Sequence, residues 1–303
     1  MANTGVVLVA MPAQQSILQA LCSQVEIAAV VNPTRAAMAD LPVPVFADWP
    51  ALEDYTTPVA CCFLAPYSAL KKDLNRCLKK GIHVLSAGPV TLNRNEFETI
   101  SKQVNDKQLE LHFGGPHPFS QLFQQLKEQR QKPEFGQPVY LRLVQGKGSG
   151  LQTAWWSLCD ALSQARDLLD SYLEEVYITA VKKGGKYHIS LTGATANRAN
   201  IQLVIAPLAL SLYPDITLLG SGGLLSNRSI TSAPLLIGQD GLEFHPHPNY
   251  HPEPAWLIDF LNKIKAADTT YLDWSLVSLH HQILRAARVS LRQKCPIQIK
   301  LLP

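Results

Sequence analysis

The sequence predicts a two-domain α/β protein, with a doubly wound parallel sheet followed by an α+β domain that has an open, mostly antiparallel sheet. In the first part of the chain, short apolar runs alternate with segments of helical periodicity, which is typical of parallel strands joined by helices. Beyond residue 175, strand-like segments follow one another across glycine-rich turns. The chain has 303 residues, 47% of them hydrophobic, which is enough for two cores of ordinary size.

The first domain is predicted over residues 1–117 and is of the Rossmann type. Its strand-like runs are short and mostly apolar, as expected for strands that are buried on both faces. We predict these strands at 6–10, 25–31, 45–46, 59–64, 83–86 and 109–113. The segments between them have helical periodicity, and we predict helices at 14–22, 49–54, 67–79 and 93–106.

The second domain is predicted over residues 118–303, after the Gly114-Gly115-Pro116 turn. Its predicted helices are 119–131, 158–173, 254–265 and 275–291. Its predicted strands are 139–144, 176–182, 187–192, 201–206, 216–219, 235–237 and 297–301. The apolar strands, such as the run from residue 201 to residue 212, indicate a covered sheet face and predict a homo-oligomer, most simply a homodimer.

Charge and cysteine content argue against several classes of protein. The net charge is +3 and 17% of residues are charged, which is too mild for a nucleic-acid or membrane-surface partner. The first residues do not have the pattern of a signal peptide, and the apolar stretches elsewhere are too short to span a bilayer. The six cysteines include no metal-type C-x-x-C pair and favour a reduced, cytoplasmic setting.

Three stretches carry a resemblance to a known family. The first is a strand ending in Ala65-Pro66, a helix, and the run LKKGIHVL at 78–85. The second is the helical stretch 155–169, and the third is the closing stretch 256–299, in which a long alanine-containing helix leads to a last strand. Together they resemble the glucose–fructose oxidoreductase, inositol dehydrogenase and rhizopine catabolism (Gfo/Idh/MocA) family, which also includes biliverdin reductase. The resemblance implies an NAD(P)-dependent oxidoreductase, a small-molecule ligand in the interdomain cleft, and a dimer formed through the open sheet.

The loop that would hold the dinucleotide phosphates departs from the family pattern. A G-x-G-x-x-G turn lets the backbone approach the pyrophosphate closely, because glycine has no Cβ. Those positions fall near Val9, Met11 and Gln14, and there is no glycine between residues 6 and 21. We predict either an altered phosphate grip through Ala10, Met11 and Pro12 or a loop that no longer binds pyrophosphate, and the steric role of the glycines favours the second.

The other cofactor positions are equally unusual. Asn32 stands where an acidic residue would bind the ribose hydroxyls of NAD, and Arg35 follows it. This pair favours NADP over NAD if any cofactor binds, and the alternative is an ordinary Asn-Pro turn. The resemblance also places Ala65, Pro66 and Gly88 at the cofactor.

Two proton-transfer groups of the family are absent. Ala87-Gly88-Pro89 matches the family's E-K-P motif, so its lysine is missing. On the helix of the second stretch, Asp160 and Gln164 keep the spacing of an aspartate and a histidine, but glutamine cannot exchange a proton near neutral pH. If catalysis persists, His117 and Lys147 are the candidate replacements, acting with Asp160.

A proline-rich segment carries His245, His247, His251 and Glu253. Imidazoles and a carboxylate are suitable zinc ligands, but this spacing is not a recognised zinc pattern, and we expect a surface loop or an interface segment without a metal.

Three hypotheses for function follow. The first is a divergent NAD(P)-dependent oxidoreductase of a small metabolite. The second is a non-catalytic relative that binds a ligand or a protein partner. The third is a lyase or isomerase that uses the same cleft without a nicotinamide. The residues favour the second hypothesis, and the resemblance favours the first.

Overall fold

We describe a computed structural model of the chain, in which the described residues are 5–38, 40–88, 90, 92–146, 150–207, 214–227, 236–237, 243–244, 251–266 and 274–299. They form two compact units. The first contains residues between Met1 and Phe119 and between His251 and Val277, and the second contains those between Ser120 and Tyr250 and between Ser278 and Pro303.

The first unit contains a six-stranded sheet. Its strands are β1 (Val6–Val9), β2 (Ile27–Val31), β3 (Val45–Phe46), β4 (Ala60–Phe63), β5 (His83–Ser86) and β6 (Leu111–Phe113). Their spatial order is β3-β2-β1-β4-β5-β6, and every pairing is parallel. The helices are α1 (Gln15–Gln24), α2 (Trp49–Tyr55), α3 (Leu70–Lys79) and α4 (Arg94–Asp106). This is the predicted doubly wound sheet.

Local sequence explains these elements. All four residues of β1 and of β4 are buried, which matches the continuous apolar runs in the sequence. Helix α4 begins with a capping box, in which the Asn93 side chain accepts from the Glu96 N–H and the Glu96 carboxylate accepts from the Asn93 N–H.

The second unit contains a nine-stranded sheet with helices α5 (Gln121–Arg130) and α6 (Leu151–Leu169). The strands are β7 (Pro138–Gly146), β8 (Leu173–Lys183), β9 (Lys186–Thr195), β10 (Asn200–Ala206), β11 (Asp215–Gly220), β12 (Leu224–Asn227), β13 (Leu236–Ile237) and β14 (Glu243–Phe244). After α7 (Glu253–Ala266) and α8 (Trp274–Gln293), the last strand is β15 (Ile297–Gln298). The sheet order is β14-β13-β12-β11-β7-β10-β9-β8-β15. Within the described part of this sheet, the β7–β10 pairing is parallel and the other pairings are antiparallel.

The predicted fold class is therefore confirmed, with changes at the ends of elements. Helix α6 begins at Leu151, earlier than predicted, and ends before Asp170, which adopts the left-handed conformation typical of a helix end. Strands β12 and β14 were not predicted, because strands of four and two residues carry little periodicity.

The position of α7 was not predicted either. The sequence placed 118–303 in one domain, whereas α7 belongs to the first compact unit. Trp256, Leu257 and Phe260 of α7 lie in the same buried cluster as Leu8 of β1 and Leu18 of α1. The boundary at residue 117 itself stays a prediction.

None of the helices in the described part of the chain is long and apolar enough to cross a membrane. The six cysteines are free thiols, and the cytoplasmic setting stays a prediction.

Candidate functional site

Most of the predicted cofactor residues lie at one edge of the six-stranded sheet. Ala10 follows β1, Asn32 follows β2, Ala65 and Pro66 lie just beyond β4, and Gly88 follows β5. The strand order changes direction between β1 and β4. In open α/β sheets, ligands bind at the carboxyl ends of the strands at such a switch point.

In the loop after β1, the backbone N–H groups donate hydrogen bonds to acceptors within the chain. The Met11 N–H donates to Gln14 Oε1 at 2.7 Å, and the Gln14 N–H donates to the Met11 carbonyl at 2.9 Å. The Ala10 N–H donates to the Val31 carbonyl at 3.1 Å. Pro12 has no N–H to offer. Residues 12–14 form one turn of 3-10 helix, and α1 begins directly after it.

The Gln14 side chain also reaches the neighbouring strand. Its Nε2 donates to the Leu64 carbonyl at 2.6 Å, at the end of β4. One carboxamide therefore joins the loop after β1 to the end of β4, across the switch point.

These residues do not fit a dinucleotide phosphate. Such a group needs free backbone N–H donors and a turn without side chains. Here the donors of Ala10, Met11 and Gln14 are engaged within the chain. We derive no chemical step through a dinucleotide at this edge.

Asn32 is engaged within its own turn. Its Oδ1 accepts from the Thr34 N–H at 3.2 Å and from the Thr34 hydroxyl at 2.7 Å. Its Nδ2 donates to the Ala36 carbonyl at 2.8 Å. This arrangement is an Asx turn, and an ordinary turn at Asn32-Pro33 is the predicted alternative to ribose binding.

Arg35 lies on the surface with a left-handed backbone, at a φ of 58°. Its guanidinium is paired with Asp48 at 3.2 Å, and its side chain is 71% exposed. A pair this exposed leaves the guanidinium accessible to an anion, because surface ion pairs are weak. The role of Arg35 in choosing NADP stays a prediction.

Gly88, Ala65 and Pro66 are buried. The Gly88 carbonyl accepts from the Ser86 hydroxyl at 2.8 Å. Pro89, which completes the motif without lysine, lies outside the described residues.

In the second unit, Asp160 and Gln164 form a buried polar cluster with a third residue. Asp160 Oδ2 accepts from Gln164 Nε2 at 3.2 Å and from Gln145 Nε2 at 2.8 Å. The two residues of α6 are four apart and so lie on one face of the helix. Gln145 comes from β7 and was missed by the sequence analysis.

A signal for Gln145 was present in the sequence. Residues 141, 143 and 145 point to one face of β7, and the first two are buried leucines. A glutamine at the next inward position indicates a buried polar partner. Gln145 is 3% exposed, and its Oε1 has no hydrogen-bond partner in the described part of the chain.

The two amide side chains of this cluster can only form hydrogen bonds, and the Asp160 carboxylate is the ionisable group between them. The neighbouring thiol, Cys159, is buried, and burial together with the charge of Asp160 raises its pKa to about 12. A thiol with so high a pKa stays protonated near neutral pH and is a poor nucleophile. Amides cannot act as general bases, so Gln145 and Gln164 can orient a ligand without exchanging its protons.

The other predicted catalytic groups are His117 and Lys147. His117 lies in a short 3-10 turn (His117–Phe119) assigned to the first unit, whereas Asp160 and Gln164 belong to the second. Lys147 lies outside the described residues. The roles of these residues stay predictions.

No group of three metal-ligating side chains occurs among the described residues. His251 Nδ1 lies 3.7 Å from Glu253 Oε2, and His245 and His247 are outside the described ranges.

Comparison with known proteins gives structural relatives only. No family model matches the chain, and no curated protein matches its sequence. Among solved structures, the scyllo-inositol dehydrogenase of Lactobacillus casei with bound NAD(H) and scyllo-inositol has a TM-score of 0.73 at 11% identity. The match covers 98% of this chain and 99% of that one.

Two other structures are similar over the whole length. The myo-inositol 2-dehydrogenase of Lactobacillus plantarum has a TM-score of 0.73 at 12% identity, covering 98% of this chain and 100% of that one. GenD2 from gentamicin A biosynthesis, in complex with NAD, has a TM-score of 0.74 at 14% identity, covering 99% and 97%. The resemblance is confirmed at the level of the fold, which is that of these dehydrogenases.

Proposed function

We propose that this chain is a non-catalytic, ligand-binding protein built on an oxidoreductase fold. The observation that carries the proposal is the cluster of Gln145, Asp160 and Gln164, in which amides surround one carboxylate oxygen. The cluster is buried and polar, yet the two side chains that donate to this oxygen cannot take or give a proton near neutral pH.

The cluster is suited to a neutral ligand with a hydrogen-bond donor. Leaving a buried acceptor without a donor costs about 1–3 kcal/mol. Gln145 Oε1 is such an acceptor among the described residues, and an O–H or N–H group of a ligand would satisfy it. The predicted location of that ligand between the domains remains part of this proposal.

The alternative is an NAD(P)-dependent oxidoreductase with a reorganised site. The specific observation in its favour is the similarity in fold to dehydrogenases solved with NAD(H) or NAD. If it holds, the exposed guanidinium of Arg35 would favour NADP.

Native mass spectrometry of the purified full-length chain tests the proposal, followed by identification of any bound metabolite. The identified compound should stabilise the protein by about 2.7 kcal/mol at a hundred times its dissociation constant. Gln145→Ala should abolish most of this shift. The matched control is Gln202→Ala, because this partly buried glutamine lies on β10 and contacts Tyr140 rather than Asp160.

Equal binding by the Gln145→Ala variant would contradict the proposal. So would turnover of the compound in the presence of NAD or NADP, which would favour the alternative.

We also propose a homodimer formed through the nine-stranded sheet. Leu141, Leu203 and Ile178 point into the core, while Tyr140, Val204 and Tyr177 on the opposite face are only partly buried. Burying these side chains against a second copy would remove apolar surface from water. Light scattering coupled to size exclusion should give twice the chain mass, and a monomer at micromolar concentration would refute the dimer.

A further inference from the structure

We propose that Gln14 is an internal substitute for the dinucleotide phosphate, which locks the loop after β1 to the end of β4. This inference goes beyond the proposed function, because it concerns the first unit and not the cluster at Asp160. Gln14 falls where the third glycine of a G-x-G-x-x-G turn would stand. A glycine there leaves room for phosphate, whereas a glutamine supplies a long side chain with a donor and an acceptor.

Both ends of that side chain are used. The acceptor, Oε1, takes the Met11 N–H at 2.7 Å, as a phosphate oxygen would. The donor, Nε2, is held by the Leu64 carbonyl at 2.6 Å. Both distances are short for N–H···O hydrogen bonds, so the carboxamide is held at two points.

The loop offers little else to attract a phosphate. None of the ten residues of helix α1 is charged, so the helix supplies no basic side chain for a phosphate. Pro12 also removes one of the backbone donors at the helix start. The remaining attraction is the helix dipole, and the Met11 N–H already donates to Gln14 Oε1.

A dinucleotide would therefore have to displace Gln14 before it could bind. A ligand that binds only the opened loop has its affinity reduced by the fraction of time the loop is open. Two hydrogen bonds of ordinary strength correspond to roughly a 10- to 100-fold reduction. The loss of the glycines weakens binding further.

Hydrogen exchange of the full-length chain, followed at the Met11 amide, tests the inference. In the wild-type chain this amide should exchange slowly, and millimolar NADH or NADPH should change neither its exchange nor the fluorescence of the nucleotide. Gln14→Ala should speed the exchange about tenfold or more. Gln19→Ala is the matched control, because Gln19 is an exposed glutamine on α1 and should leave the exchange unchanged.

Gln14→Glu keeps the test decisive if Gln14→Ala fails to fold. A glutamate retains the acceptor for the Met11 N–H but sets a carboxylate against the Leu64 carbonyl. Met11 should stay protected, and the melting temperature should fall as the pH rises through the ordinary range of a glutamate. Either of two results would overturn the inference. One is micromolar binding of NADH or NADPH with added protection at Met11, and the other is a Met11 exchange rate that is unchanged by Gln14→Ala. Neither result depends on whether a ligand binds at Gln145.

Discussion

His112 is a histidine whose ionisation depends on its surroundings. It lies on β6, packs edge-on against Phe260 at 6.0 Å between ring centroids, and has its Nε2 4.0 Å from Glu110. Burial lowers its pKa, and Lys263 lowers it further, while Glu110 and Asp259 oppose the change. Burial also lowers the pKa of His83 on β5.

These shifts predict a loss of stability in acid. An unfolded histidine has a pKa of about 6.5, so the unfolded chain binds protons before the folded chain does. The stabilisation that comes from keeping these histidines neutral is fully present when the pH is above the pKa of the unfolded histidine. It is lost as the pH falls through the lowered pKa of the folded state. Urea midpoints between pH 8 and pH 5 should fall, and His112→Gln should flatten the curve. His188→Gln, at an exposed position on β9, should leave the slope as it is.

At the scale of elements, α7 contributes an apolar face to the first unit. Leu257 is 0% exposed and lies in the cluster with Leu8 and Leu18, whereas the next residue, Ile258, is 39% exposed. The contrast arises because successive helical residues point about 100° apart.

This contrast predicts unequal effects of two neighbouring substitutions. Leu257→Ala should lower the free energy of unfolding by about 2–5 kcal/mol, because it leaves a cavity in a packed core. Ile258→Ala should change it by about 0.5 kcal/mol or less. Denaturant unfolding of both variants measures the difference, and similar losses would show that α7 does not pack by the face containing Leu257.

The sequence predicted elements better than it predicted their partners. The spacing of apolar residues located nearly all the strands and helices, because burying one face of a segment sets that spacing within the segment alone. The assignment of α7 to the first unit was missed, since the same apolar stripe can pack on either core. Gln145 and the Leu64 contact of Gln14 were missed for a related reason, because these side-chain hydrogen bonds join residues far apart in sequence. Gln14 and Leu64, for example, are 50 residues apart.

At the scale of the whole molecule, the chain leaves the first unit after Phe119 and returns to it at His251. The segment between them builds most of the nine-stranded sheet. The first unit is therefore completed only after most of that sheet has been synthesised. Its core lacks Trp256, Leu257 and Phe260 until residues 251–266 are available.

This order predicts that residues 1–119 do not form a stable domain when expressed alone. Removing three large side chains from one cluster costs several kcal/mol, which is comparable to the whole stability of a domain of this size. Joining residues 251–277 to residue 119 through a flexible linker should restore cooperative unfolding, because the linker supplies α7 at high effective concentration. Far-UV circular dichroism during thermal unfolding distinguishes the two chains. A sharp transition for residues 1–119 alone would show instead that the N-terminal segment is complete without α7, as the boundary predicted at residue 117 implies.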